Sequence, residues 1–478
     1  MSHCHIWIMS YDTLSSPQVI CDQYWPEHKG QYGQVDVSLH KTERLANFTI
    51  RTFLLSSQSL GKKGDVRRVS QLQYTSWPAA GNPSNPLPLL SFIRVALKHN
   101  ELRNTAMVVH TNSRNSRAGV FITIASTLKQ LKTSGEVNIP SFLKQAPTKG
   151  QNLLRSAKDF IYIHDVLVEA IVAGETNIKN SYLSRYINSL QSCQYSPSGN
   201  KYHIERQFEL INIDFIKKDN IPEPVTDIIW LPGYFSQKSY VLASYPKQET
   251  LQQFWRLVLE HSVHTIVVLK SDPHQSFPNL SAAGQGPVIV THRDDEISYD
   301  FKSKNFILEF GTCVRKFVKV IFSESFMCES ESPGESLSLV ESVSARTRSM
   351  HSSAPVFVLD TDVGGQAGAA LCTLLTLADQ CEQEEHCDVY QAVKTVNMAR
   401  RGEWSSPDNL LHIYRVAELM VSKGNSGKLN KGGNITNNIN IALNRKSPFK
   451  ISMNNWKNKN DPTPSIKVDI PVISDGWF

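Results

Sequence analysis

An α/β fold, repeated as two tandem copies, is the architecture this sequence predicts, and three observations predict it. Near residue 110 an apolar strand (Met107, Val108, Val109) runs into a polar loop. The loop closes on Arg117 and Gly119, where an apolar helix takes over (Val120, Phe121, Ile122, Ile124, Ala125, Leu128). About 250 residues on, the same order returns, with Val356, Phe357, Val358 and Leu359, a loop from Asp360 to Gly365, and then Leu371, Leu374, Leu375 and Leu377. Finally, 478 residues that are 40% hydrophobic and 20% charged suffice for two or three domains with sizeable cores. A repeat of that length is a whole domain, not a solenoid unit.

Each strand, tight loop and helix start together form an anion cradle. The loop amides converge on one point and the helix N-terminus adds partial positive charge there. Elsewhere the composition mainly excludes. A net charge of +6 spread along the chain does not argue for nucleic acid. The eight cysteines lack paired short spacings, so neither a zinc site nor a disulfide framework is implied, and free thiols in a reducing compartment are expected. No apolar run approaches the roughly 20 residues that span a bilayer. The start, Met-Ser-His-Cys-His-Ile-Trp-Ile-Met-Ser, has no basic residue ahead of an apolar core. The chain is expected to be soluble and cytoplasmic, with no membrane span and no cofactor.

Taken in order, the first twenty residues read as irregular. Residues 48–53, Phe-Thr-Ile-Arg-Thr-Phe, alternate as a half-buried strand does. In the first cradle His110 and Thr111 precede Asn112, Ser113, Arg114, Asn115 and Ser116, and then Arg117, Ala118 and Gly119. Arg117 can hold phosphate through its bidentate fork, or it can donate to carbonyls of its own loop. Arg114 reads as a solvated charge, while His110, His164, Trp25, Trp77 and Trp255 read as structural. Residues 265–269, Thr-Ile-Val-Val-Leu, form a buried strand by their apolar run. No His or carboxylate set with ligand spacing surrounds Asp360, so a metal is not expected there. From 423 to about 459 Gly, Asn, Lys and Ser dominate, which is disordered by composition. Its excess lysines could meet anionic lipid or RNA, but a solvated tail is the simpler reading.

The loop at 110–119 resembles the signature of the protein tyrosine phosphatases: His-Cys, five residues, Arg, Ser or Thr, Gly. His110, Arg117 and Gly119 match it, whereas Thr111 stands at the nucleophilic Cys and Ala118 after the Arg. Other blocks resemble the family in the same order. Cys21-Asp22-Gln23-Tyr24-Trp25-Pro26 is similar to a block of the receptor types. Residues 73–83 resemble the mobile Trp-Pro-Asp loop, with Ala79 where the general acid belongs. Residues 137–143 resemble the next helix start. Residues 153–165 resemble the loop whose two glutamines orient the hydrolytic water, with Arg155 and Asp159 in their places.

In the second copy, residues 204–210, 233–234, 240–246 and 250–255 are similar to the start of a second receptor-type domain. Aligning Gly368 with Gly119 puts Asp360 at the Cys position and Gln366 at the Arg position, with Ser405 and Asn409 at the glutamines. An Asp there resembles the second domain of the gamma and zeta receptor types and their insect counterparts. No tyrosine-recognition loop stands between 212 and 230, and a Ser/Glu-rich run at 323–342 replaces the acid loop.

The resemblance implies a twisted mixed sheet flanked by helices in each copy. It divides the chain into a first domain at 1–173, a helical linker at 174–203, a second domain at 204–422 and a tail at 423–478. It also implies that helices and a recognition loop belong ahead of Cys21, so the first copy is expected to be N-terminally incomplete.

The family's mechanism needs a thiolate to attack phosphorus, an Arg to hold its oxygens and an acid for the leaving group. A cradle lowers the pKa of a thiol into the working range, but a threonine hydroxyl at Thr111 starts many units higher. Losing a general acid alone costs roughly 10² to 10⁴ in rate. In the second cradle Asp360 and Asp362 bring negative charge, and Gln366 removes the cation, which disfavours phosphate. The expectation is a catalytically inactive receptor-type phosphatase that works through protein contacts, by scaffolding, by dimerising through its phosphatase-like domains or by shielding phosphotyrosine partners. Two alternatives stand beside it. One is a live phosphotyrosine hydrolase, as family resemblance alone implies; the other is a phosphotyrosine-binding module using Arg117 and the loop residues from Asn112 to Gly119.

Overall fold

The computed structural model describes residues 4–7, 23–57, 66–101, 107–111, 116–146, 152–194, 201–213, 228–270, 276–281, 286–297, 301–311, 314–324, 326–327, 331–350, 353–361, 365–400, 404–429 and 466–467. The chain falls into two compact units, Met1–Val172 with Ile435–Phe478, and Ala173–Asn434.

The first unit runs β1 (Cys4–Trp7), β2 (Lys29–Tyr32), β3 (Val35–Arg44), β4 (Phe48–Ser57), β5 (Val66–Tyr74), α1 (Leu87–Glu101), β6 (Met107–His110), α2 (Arg117–Ser134), β7 (Glu136–Val137), α3 (Ile139–Gln145) and α4 (Ala157–Ala173). Its sheet has the order β2-β3-β4-β5-β1-β6. The strands from β2 to β5 pair antiparallel, and β1 pairs parallel with both β5 and β6. This corrects the expected irregular start, since Cys-His-Ile-Trp is a central strand. Four residues are too few to display a period. Leu72, Phe92, Phe121, Ile124 and Ile163 fill the core between sheet and helices. α2 stops where Gly135 takes φ 71° and returns its N–H to Leu131. α3 starts on Asn138, whose side chain accepts from the Ser141 N–H at 2.9 Å.

The second unit runs β8 (Ile178–Lys179), a 3-10 turn (Asn180–Tyr182), α5 (Leu183–Leu190), β9 (Cys193–Gln194), β10 (Lys201–Tyr202), α6 (His203–Asn212), β11 (Ile228–Leu231), β12 (Tyr240–Ser244), α7 (Leu251–Glu260), β13 (Thr265–Leu269), β14 (Val288–Ile297), β15 (Lys302–Phe310), β16 (Val314–Ser323), α8 (Pro333–Ser349), β17 (Val356–Asp360), α9 (Gln366–Gln383), β18 (His386–Cys387), α10 (Val389–Ala399) and α11 (Pro407–Leu429). Last in the chain, β19 (Ile466–Lys467) pairs antiparallel with β7. The sheet order is β11-β12-β17-β13-β16-β15-β14. β13 and β17 are buried along their whole length, as strands covered on both faces must be, and their unbroken apolar runs reflect it.

The two sheets follow one plan. From β17 outward, parallel β13 and β16 and then antiparallel β15 and β14 match β6, β1, β5, β4 and β3. The difference lies at the cradle strand. β12 and β11 cover the free edge of β17, while β6 pairs only with β1 among the described residues. Val108 of β6 is accordingly 45% exposed.

Regular structure appears in the segments read as a helical linker, as a Ser/Glu-rich run and as the start of the tail. The stretch from 174 packs within the second unit: β8 pairs with β18, and the Thr176 hydroxyl donates to Asp388 at 3.1 Å. Half of the Ser/Glu-rich run is helix α8. Ser332 and Glu335 cap it reciprocally, and Pro333 at its first position suits a helix start. α11 continues beyond Lys423 to Leu429. Residues 196–200, whose Ser-Pro-Ser-Gly-Asn reads as turn-rich, and most of 212–230 lie outside the described residues.

Candidate active site

In the first unit β6 delivers Thr111 to the mouth of the cradle, and Arg117 opens α2. Asn112, Ser113, Arg114 and Asn115 lie outside the described residues. Gly119 is required by close packing, because a Cβ there would stand 1.8 Å from the Leu153 carbonyl oxygen. The cradle helix and the water-loop segment therefore touch through backbone.

Arg117 is 6% exposed, and its guanidinium donates to the carbonyls of Pro78 at 2.7 Å and Ala79 at 3.2 Å. It also stands 5.7 Å from the Trp77 ring centre, a cation–π contact. The Trp77 indole in turn donates to Gly81 at 3.0 Å, which folds the loop on itself. Both of these bonds come from Nη2 and run to its neighbouring loop. The Ala79 methyl lies exposed and offers no proton.

Asp159 is the hub of this site. Its carboxylate accepts from the Ser116 hydroxyl at 2.5 Å, from the Asn82 amide at 3.1 Å and from the Ser156 N–H at 3.1 Å. Ser156 returns the bond by accepting from the Asp159 N–H at 3.2 Å, which makes a reciprocal cap on α4. Burial would raise the carboxyl pKa, but the bonds from Ser116, Asn82, Ser156 and the Arg155 backbone hold it below the usual value. The Arg155 side chain is exposed. Of the two expected water-orienting positions, one has become a structural carboxylate and the other a surface cation. Asn82 was not among the residues singled out from sequence, where it is an ordinary loop residue.

In the second unit Asp360 ends β17 with no exposed surface. Its Oδ1 accepts from the Thr361 N–H at 2.7 Å, and its Oδ2 accepts from the Gly368 N–H at 2.8 Å in the first turn of α9. Gln366 accepts from both the N–H and the hydroxyl of Ser405, at 2.9 and 2.7 Å, and Asn409 donates to that hydroxyl at 3.0 Å. The structure thus brings Gln366, Ser405 and Asn409 together as a neutral chain of hydrogen bonds. Asp362 lies outside the described residues.

The expectation of a second cradle without a cation is corrected. Arg400, 1% exposed, donates to the Gly365 carbonyl at 3.2 Å, and its guanidinium lies 5.0 Å from the Trp404 ring centre. Burial lowers its pKa to about 10, with the Asp360 charge acting in the other direction. The same charge adds to burial in pushing the Tyr245 phenol up to about 12 and the Cys372 thiol upward. Arg400 follows α10 by one residue, and only the tertiary fold brings it beside α9.

Residues 1–169 and 227–418 match the family model described as protein-tyrosine phosphatase. The putative receptor-type tyrosine-protein phosphatase mosPTP-1 of Culex quinquefasciatus is 28% identical over 436 residues, covering 84% of this chain and 29% of that protein. Receptor-type tyrosine-protein phosphatase zeta of Rattus norvegicus is 26% identical over 461 residues, covering 84% and 19%. Tyrosine-protein phosphatase 99A of Drosophila melanogaster is 26% identical over 438 residues, covering 84% and 33%. The chain therefore spans between 19% and 33% of the length of these relatives.

Proposed function

Given that the chain belongs to the protein-tyrosine phosphatase family, with relatives of the receptor type, we propose that it is a pseudophosphatase that acts in phosphotyrosine signalling through protein contacts. One observation carries the reading. Neither cradle strand leads into a thiol: β6 runs into Thr111 and β17 ends on Asp360. A threonine hydroxyl is neutral at physiological pH and far less nucleophilic than a thiolate, and a buried carboxylate already engaged by two amides is a poor nucleophile toward a phosphate dianion.

The remaining machinery points the same way. The acid position is a methyl group, the water-loop positions are Arg155 and a fully engaged Asp159, and Arg117 is tied to Pro78 and Ala79. One arm of the Arg117 guanidinium, Nη2, is already engaged by those carbonyls, which weighs against a phosphotyrosine-binding role. The scaffold reading asks nothing of the cradle, only that both domains keep their folded surfaces.

Turnover of para-nitrophenyl phosphate and of a phosphotyrosine peptide by the purified chain tests this. Rates should equal those of the Thr111→Ala variant and of buffer. Clear turnover abolished by Thr111→Ala would reinstate the live hydrolase. Titration with the same peptide should give no saturable binding. Saturable binding lost in Arg117→Ala would favour the binding module instead.

A further inference from the structure

A cradle that has lost its ligand still has converging donors to satisfy. Helix α9 begins after Gly365, and the N–H groups of its first turn have no partner within the helix. Gly365 carries no side chain to cap them. The donor at Gly368 is met instead by Asp360, eight residues back at the end of a strand, and the same carboxylate takes the Thr361 N–H through its other oxygen. At the other side of this turn Arg400 is bonded to Gly365. Two amides at a helix N-terminus, with the Arg400 charge near enough to be influenced by Asp360, are surroundings that suit an oxyanion. A carboxylate with no exposed surface needs such donors to be held there at all.

We propose that the second cradle is an oxyanion site already filled by its own chain, with the Asp360 carboxylate standing where a free phosphate or carboxylate would bind. The covalent tether makes this anion permanent, and its charge and volume keep phosphate out. Any partner of the second domain therefore docks without reference to phosphate in this cradle. The inference rests on the proposed silence of the cradles and supplies its cause in the second. The first unit differs: Ser116, which caps α2, makes no side-chain cap bond, and the nearby carboxylate of Asp159 is committed to α4.

The competing reading is that Asp360 is an ordinary helix cap whose loss nothing in solution can repair. Removing the carboxylate from the full chain separates the two. Thermal unfolding is followed in inorganic phosphate, in formate and in chloride at equal ionic strength. The readout is the response of the variant beyond that of the wild type, because phosphate stabilises folded proteins generally.

Asp360→Ala should unfold earlier than wild type in chloride. It should regain about 3–6 °C at an anion concentration tenfold above the dissociation constant. Asp360→Ala with Arg400→Gln should lose that recovery. A folded Asp360→Ala protein that ignores both phosphate and formate overturns the proposal, as does recovery that persists without Arg400. Should Asp360→Ala not fold in chloride, refolding decides. Native circular dichroism recovered in phosphate or formate supports the proposal, and none in either anion overturns it. Hydrolytic activity of the wild type would defeat the functional reading while leaving this result untouched, so the two failures are distinguishable.

Discussion

At the scale of single residues, the polar groups around the first cradle hold one another in place. Asp159 caps α4 and grips Ser116 and Asn82, so its removal should destabilise the first unit. Asp159→Ala is expected to cost about 1–3 kcal/mol, measured by urea unfolding. Its pKa is depressed on folding, so its stabilisation is complete above the unfolded value of 3.8 and is lost as pH falls through the folded one. Gly119→Ala should cost about 1–3 kcal/mol as well, because the Leu153 backbone must retreat from a Cβ. Restoring one chemical group should not restore the enzyme. Thr111→Cys alone should stay roughly 10² to 10⁴ below Thr111→Cys with Ala79→Asp, since no acid otherwise serves the leaving group. Equal para-nitrophenyl phosphate rates for the two variants would contradict this.

At the scale of elements, α8 carries a pH-dependent load. Burial pushes the Glu331 carboxyl up to about 7, against the pull of the Met327 N–H and Ser336. The folded state thus holds that proton more tightly than the unfolded chain, whose value is 4.5. Stability from this group is full below 4.5 and falls as pH rises through 7. The advantage of Glu331→Gln over wild type, read from urea midpoints, should therefore grow between those limits and level off above them. Asp379 is pushed up to about 6 by burial and by Glu382, and His412 is shifted down by burial. Asp379 acts equally in the two proteins and cancels from the difference, whereas His412 shares Ser336 with Glu331, so both proteins are compared in a His412→Gln background.

Strand edges give a second prediction at this scale. β17 is paired on both sides and β6, among the described residues, on one. Amides of β6 should exchange with deuterium faster than those of β17, on the order of tenfold or more, because local opening breaks fewer contacts. Equal protection would mean that another segment covers β6.

At the scale of the whole molecule, two units with separate cores should melt as two calorimetric components. Gly119→Ala should move one of them. Asp388→Ala should move the other, since Asp388 caps α10 and accepts from Thr176. A single component shifted alike by both variants would contradict independent cores.

The repeated cradle, the α/β class and the family were legible because they reside in short motifs and local apolar patterns. The Asp at the second cradle pointed to the zeta and insect types, and both are among the relatives. β1 was not legible, because four residues without a period become a strand only between two others. The helix inside the Ser/Glu-rich run carried its own signal, Ser332-Pro333-Gly334-Glu335, which the composition of its surroundings obscured.

What the sequence determined by itself is which reactive groups exist. That Thr111 follows β6 and Ala79 follows Trp77-Pro78 are matters of residue identity, and no packing changes the groups they offer. The tertiary structure alone decided what the remaining polar groups do. It set Arg117 on the Pro78 and Ala79 carbonyls, tied Ser116 to Asp159, and put Arg400 at the same helix turn as Asp360. Those partners lie 38 to 43 residues apart in the chain. Hydrogen-bond choice depends on which donors and acceptors are buried together, a property of the packed core and not of any local stretch.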